Sequence, residues 1–396
     1  MSTPQLDIDF RDPALAVDPF PLLEEIRAAG RVVWNGAAHA WMVPGYDDCT
    51  AVLTDSNTVQ FSVPGALRPD VYFWFEAPAI SITEGADHRR LRGPMARHFA
   101  ATSMQRTWEP RVRNIVGQLL TPLVDGHDHF DIDDFTRIPV IVVAELLGVP
   151  EERHDDFRRW SNVLVGNVAF GNEGPEARRA MEAVVAEAKT YLSEEIERHR
   201  RERPEDLLTV MIDVADWSDA EIRAVALNLL LAGYDTTAKL LGLTLVALEQ
   251  HPEQRHQLVE DLSLIPNAVE EVLRWQSPTQ AIVRVVVRDT ELAGTHFEKG
   301  DVIYAMLGAA NRDPRRWPDP QRFDIGRELK AHLAFTTGRH VCIGAALARL
   351  EARVALEALL ATAPDYQLHD IDYGDAFFAR GPVQGVIDVG VPATAQ

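Results

Sequence analysis

The chain has 396 residues, 46% hydrophobic and 25% charged, with a formal net charge of −21 at pH 7. That is the composition of a globular protein long enough to bury a large core, and so acidic a balance disfavours nucleic acid or an anionic membrane surface as its main partner. Cys49 and Cys342 are its two thiols, and their number gives no sign of a secreted disulfide framework.

The first residues, "MSTPQLDIDFRDPALAVDPF", have neither a basic n-region followed by an apolar h-region nor an apolar run able to span a bilayer. This points to a cytoplasmic protein without a membrane anchor. "PLLEEIRAAG" has helical spacing, and "RVVWNGAAHAWMVPGY" is β-like. Cys49, in "GYDDCTAVL", reads as an inert packed thiol. Tyr72, Phe73, Trp74 and Phe75 then stand in a row, which suits an apolar or aromatic ligand, although four consecutive aromatics cannot all face one cavity. In "HRRLR", His88 and Arg92 lie one helical turn apart, so both can point at one anionic group.

"DGHDHFDIDDF", residues 125–135, mixes Asp and His as a metal site would, but Phe130, Ile132 and Phe135 alternate as in a turn leading into a helix. Helical periodicity covers Arg178 to Arg198, Asp219 to Gln250, Pro252 to Trp275 and Gly344 to Thr362. Within the second of these, "AGYDTT" sets a glycine before Asp-Thr-Thr, a combination that costs helix stability. Gly233 and Thr236 could open the helical hydrogen-bond ladder beside Ala232, leaving a groove and a water next to the Asp235 carboxylate; a kinked buried helix would use the same residues. Glu271 and Arg274, in "EEVLRW", share one helix face. The runs "IVRVVVRDTELAG", "DVIYAML" and "VQGVIDVGV" read as short strands. Between them "NRDPRRWPDPQRFDIGRELKAHLAF" has three prolines and little periodicity, and an irregular stretch of that length inside a compact domain is usually functional.

It leads into "FTTGRHVCIG". Gly338 and Gly344 flank Cys342 and allow close approach of a flat group. An alanine- and leucine-rich helix follows, so the sulfur sits at a helix N-terminus, where a thiolate is favoured. Such a thiolate can be a nucleophile or an iron ligand, and a packed structural thiol is the plain alternative. Zinc is disfavoured because no second cysteine or spaced histidine is nearby.

"FTTGRHVCIGAALAR" resembles the haem-binding loop of the cytochrome P-450 family: Phe, two residues, Gly, three residues, Cys, one residue, Gly. Thr336 departs from the glycine common in bacterial members. The likeness implies a mainly α fold with small β-sheets, the haem lying between the "AGYDTT" helix and the helix after the cysteine loop. It implies a single domain over 1–396, with small β-rich parts near the N-terminus and in 280–305 and 365–394.

The resemblance also implies roles. Cys342 is the axial thiolate of haem b, Phe335 packs beside it, and His340 joins His88, Arg92 and Arg284 on the haem carboxylates. Asp235 relays protons and Thr236 holds the hydrogen-bond network around O2. Glu271, Arg274 and Arg322 form a structural network. The pocket for a hydrophobic small molecule takes residues from Tyr72 to Phe75, Asn228, Gln280 and Val383. The chain would be a monooxygenase using O2 and electrons from a ferredoxin with an NAD(P)H-dependent reductase, docked at Arg89, Arg339 and Arg349. Rival readings are a peroxide-driven enzyme of the same fold, a non-catalytic haem sensor, and a helical protein without haem.

Overall fold

The computed structural model describes residues 4–55, 59–60, 75–170 and 175–389. The chain divides into two compact units, the first formed by Met1–Gln60, Thr107–Ile138 and Thr236–Gln396, the second by Phe61–Arg106 and Pro139–Asp235.

All strands of the described residues belong to the first unit. The β-branched and aromatic run near the start forms the hairpin Val33–Asn35 and Ala40–Val43, and the later runs form Ile282–Val286 and Val302–Ala305. Together with Gln5–Leu6 and Val59–Gln60 they make a six-stranded sheet. Its centre pairs Trp41 with Ile303 in parallel register and Arg284 with Ile303 in antiparallel register. Val43, Ile303 and Ala305 face the helix Tyr46–Thr54 in a core that also contains Cys49, Val52 and Leu53.

A second sheet pairs Gln367–Asp372 with Gln384–Asp388, and the latter with His129–Asp131. The Asp/His run is therefore a strand, with Phe130 opposite Ile387, entering the short helix Ile132–Thr136. Among the described residues no cluster of three or more His, Cys, Asp or Glu could hold a metal ion.

Two helices of this unit bear directly on the site. In the glutamate helix, Ile265–Gln276, the residues Ile265, Ala268, Val269, Val272 and Leu273 recur at helical spacing and are buried. The periodicity of 252–275 reads as one helix, but the chain breaks at Asp261. There the backbone leaves the helical region and the carboxylate caps Ser263 N, with Pro266 opening the next helix. The cysteine helix, Ala345–Thr362, buries Leu347, Leu350, Val354, Leu356 and Leu359.

Among its described residues the second unit has helices and connecting loops but no strand. Phe157, Trp160 and Tyr191 pack edge-on or tilted against one another between the helices His154–Phe170 and Pro175–Glu202. The long helix Asp219–Gln250 begins in this unit and ends in the first. It is long and apolar enough to cross a bilayer, but most of its apolar stretch is buried inside the protein. It is a core helix.

Candidate active site around Cys342

The loop that presents Cys342 is shaped by three backbone features. The Cys342 N–H donates to the carbonyl of Phe335 at 2.9 Å, which closes the loop on itself. Thr336 has φ 58°, left-handed backbone that a β-branched residue rarely adopts. Its Oγ1 donates to the His340 carbonyl at 3.0 Å and so offsets part of the strain. Glycine would meet the backbone requirement at Thr336 without strain, which is the physical content of the departure noted in the sequence. Gly338, at φ 77°, also packs tightly: a Cβ there would lie 3.0 Å from the Leu53 carbonyl oxygen. Gly338–His340 forms a single 3-10 turn, and Gly344 caps the cysteine helix.

Cys342 itself is exposed. A Cβ on Gly344 would meet nothing nearer than the Cys342 Sγ, at 3.9 Å, so the backbone leaves this face open. Arg284, on the central sheet, is 2% exposed, and its Nη1 donates to the Val283 carbonyl at 3.0 Å. A soft thiol, an open glycine face and a buried guanidinium suited to an anionic group form a donor set that fits an iron porphyrin with carboxylate arms.

The support behind the loop differs from the sequence expectation in one member. Arg274 donates through Nε to Glu271 Oε2 and through Nη2 to Oε1, both at 2.7 Å, with each side chain 3% exposed. Arg274 also reaches the carbonyls of Asn311, Pro320 and Arg322 at 3.1, 2.9 and 3.1 Å. The second cation on Glu271 is Arg327, whose Nε lies 3.1 Å from Oε1. The Arg322 side chain is instead 69% exposed, 3.9 Å from Asp324, and only its carbonyl enters the network. The reason is a turn: Asp324 Oδ1 accepts from Gly326 N at 3.0 Å, and the chain folds back to aim Arg327 at Glu271. "DIG" before Arg327 is the sequence signal that could have revealed this.

The neighbouring Glu270 was not singled out by sequence. Adjacent helical residues point about 100° apart, so it reaches a different segment. Arg349 donates Nε to its Oε1 at 2.5 Å and Nη2 to its Oε2 at 2.9 Å, while His332 Nε2 lies 3.2 Å from Oε2. Burial alone would raise the Glu270 carboxyl, but hydrogen bonds from His332 and Arg349 outweigh it and hold the pKa at about 2. Arg349 is thus ion-paired, unlike Arg339, which is exposed. Glu351, on the cysteine helix, is 1% exposed, and burial pushes its carboxyl well above the usual range.

Of the residues expected in the second unit, His88 is 3% exposed and Arg92 half-buried, both on the helix Gly85–His98, and Arg89 on the same helix is exposed. Phe75 packs against the cluster of Leu164, Met181 and Val185. Tyr72, Phe73 and Trp74 lie outside the described residues. The helix through Ala232, Gly233, Asp235 and Thr236 is unbroken. Gly233 therefore serves packing rather than an opened ladder, since a Cβ there would lie 2.8 Å from Val143 Cγ2.

Two residues expected in the pocket have side-chain hydrogen bonds within the protein. Asn228 is 4% exposed, its Oδ1 accepts from Ser81 N at 3.1 Å and its Nδ2 donates to Ser81 Oγ at 2.7 Å. Its amide anchors the turn Ile80–Ile82. Gln280 has no exposed surface; its Nε2 donates to the carbonyls of Gln276 and Ser277 at 3.1 and 2.5 Å, as part of the end of the glutamate helix. Val383 is 36% exposed.

A fold with an exposed cysteine at the head of a helix, backed by a buried Glu-Arg-Arg set, defines a haem-thiolate protein. The chain belongs to the cytochrome P450 family, whose profile matches residues 170–362. It is 35% identical to cytochrome P450 monooxygenase PikC of Streptomyces venezuelae over 96% of this chain and 92% of that one. With vitamin D(3) 25-hydroxylase of Pseudonocardia autotrophica it shares 36% identity over 86% of each chain. The solved structure of cytochrome P450 CYP109Q5 from Chondromyces apiculatus superposes with a TM-score of 0.86 at 36% identity, covering 98% of this chain and 99% of that one. The protein is accordingly an oxygen-incorporating oxidoreductase with the P450 fold, and its cofactor is haem b on a cysteine thiolate.

Proposed function

We propose that this chain is a soluble, cytoplasmic monooxygenase that inserts one atom of O2 into a hydrophobic small organic molecule. Electrons would come from a separate ferredoxin and its NAD(P)H-dependent reductase. The reading rests above all on Cys342, exposed at the head of the cysteine helix in a loop closed by its own amide. Cys49 is a poor alternative, being fully buried with its Sγ against the Val43 carbonyl at 2.9 Å.

When bound, haem b with a thiolate ligand supplies the electron density that favours O–O cleavage. Cys342 would provide the thiolate. Arg284 and His340 of the first unit would take carboxylate arms, and the resemblance assigns His88 and Arg92 of the second unit the same task. The loop restrained by Thr336 and Gly338 orients the sulfur. Thr236 Oγ1 would hold a hydrogen bond near O2, and the Asp235 carboxylate would pass protons to it from solvent. The stretch from Tyr72 to Phe75 and the exposed Val383 would meet the substrate. The substrate class is a hydrophobic small organic molecule, which an aromatic-rich approach suits.

The test uses purified holoenzyme with a ferredoxin, its reductase and NAD(P)H. Thiolate-type absorption of the reduced carbon monoxide complex and substrate-dependent product are expected, with product lost when ferredoxin is omitted. In Thr236→Ala, reductant consumption should persist while peroxide replaces product. Product formed equally well from peroxide alone would overturn the ferredoxin reading, and unchanged coupling in Thr236→Ala would overturn the proton role.

A further inference from the structure

We propose that Glu270 and Arg349 act as a clamp that positions Cys342 by way of Phe335, so that Arg349 is a positioning residue and not a docking cation. The inference rests on the reading of Cys342 as the haem ligand.

The links are continuous. Glu270 accepts both Nε and Nη2 of Arg349, an edgewise fork that leaves the guanidinium face free. That face lies over Phe335, with the guanidinium carbon 4.5 Å from the ring centroid. The Phe335 carbonyl in turn accepts the Cys342 N–H at 2.9 Å. A second strut reaches the same segment. Ala334 N donates to His332 Nδ1 at 3.2 Å, which leaves the ring proton on Nε2 and aims it at Glu270 Oε2. Glu270 thus holds Phe335 from two sides, through Arg349 over its ring and through His332 beside it, where the two rings are 6.0 Å apart.

Charge accounting agrees. The Arg349 cation is matched by Glu270 within hydrogen-bond distance, so this pair presents little net field to an approaching acidic protein. Lysine at 349 would keep the charge but cannot both bridge a carboxylate edgewise and lay a flat face on a ring.

Holoenzymes carrying Arg349→Lys and Glu270→Gln separate the two roles. A clamp requires both variants to move the reduction potential in the same direction, to lower the thiolate-ligated fraction of the carbon monoxide complex, and to speed haem transfer to apomyoglobin. The last effect should be about fivefold, the size of a partly exposed cation–π contact. The changes should persist when dithionite, which needs no protein docking, replaces ferredoxin. A docking cation gives the opposite pattern: Glu270→Gln unmasks the charge and quickens reduction by ferredoxin, Arg349→Lys is neutral, and potential and haem transfer stay at wild-type values. That result would overturn the clamp. A wild-type enzyme without the thiolate signature would instead sink the haem-ligand reading itself, while a normal wild type with both variants unmoved sinks the clamp alone.

Discussion

Cys49 lies inside the helix Tyr46–Thr54 with no exposed surface, its Sγ against the Val43 carbonyl, and burial pushes its thiol above the usual range. Cys342 is exposed in a loop with almost no regular structure, and that loop is held instead by directed contacts: an amide on Phe335, a threonine in left-handed backbone, a glycine against Leu53. One thiol is fixed by packing and made inert by it. The other is kept accessible, so its placement must come from hydrogen bonds and backbone geometry, which are more easily broken one at a time.

The largest expected contrast is chemical. Cys342→Ser should abolish the thiolate-type carbon monoxide spectrum and all product formation. Cys49→Ala should leave both intact and lower stability by only about 1 kcal/mol, read from denaturant midpoints. A Cys49 variant that lost the spectrum would reverse the comparison.

Next comes the support behind the loop. Arg327→Ala strips a cation from the buried Glu271, and removal of one partner from such a pair costs about 3 kcal/mol. Arg322→Ala, with an exposed side chain, should stay within about 0.5 kcal/mol. Urea unfolding of the two variants side by side decides which arginine completes the set.

Within the loop, Gly338→Ala adds left-handed strain and a close approach to backbone that cannot give way, so a loss of about 2 kcal/mol is expected in the same measurement. At Thr336 the order of variants matters more than the size. Alanine keeps the strain and loses the hydrogen bond, whereas glycine loses the bond but relieves the strain, so Thr336→Ala should be less stable than Thr336→Gly by about 1 kcal/mol.

The comparison also has a pH dependence. The Glu270 carboxyl is held at about 2 against an ordinary value of 4.5, so its contribution is fully present above about pH 4.5 and is lost as pH falls toward 2. The stability gap between wild type and Glu270→Gln should therefore close over that window, as followed by acid titration of the unfolding midpoint.

Much of this arrangement was legible in the sequence because its signals are local. The strands at Ile282–Val286 and Val302–Ala305, the helices Asp219–Gln250 and Ala345–Thr362, and the Glu271–Arg274 spacing all follow from periodicity and short separations. The parts that were misread depend on partners far along the chain. Asn228 has its amide taken by Ser81, 147 positions away, and nothing around Asn228 announces it. Arg322 and Arg327 stand in similar charged surroundings, and only the turn at Asp324 tells them apart. Glu270 has no local signal either, because its partner Arg349 stands 79 positions further on.

Glu351 has a consequence for handling the protein. Burial holds its carboxyl well above the range it would have in the unfolded chain, so whatever it contributes is complete below the ordinary carboxylate range and declines as the pH rises. Replacing it by glutamine would keep the shape without the ionisable proton, and the resulting protein should tolerate basic buffers better than its parent.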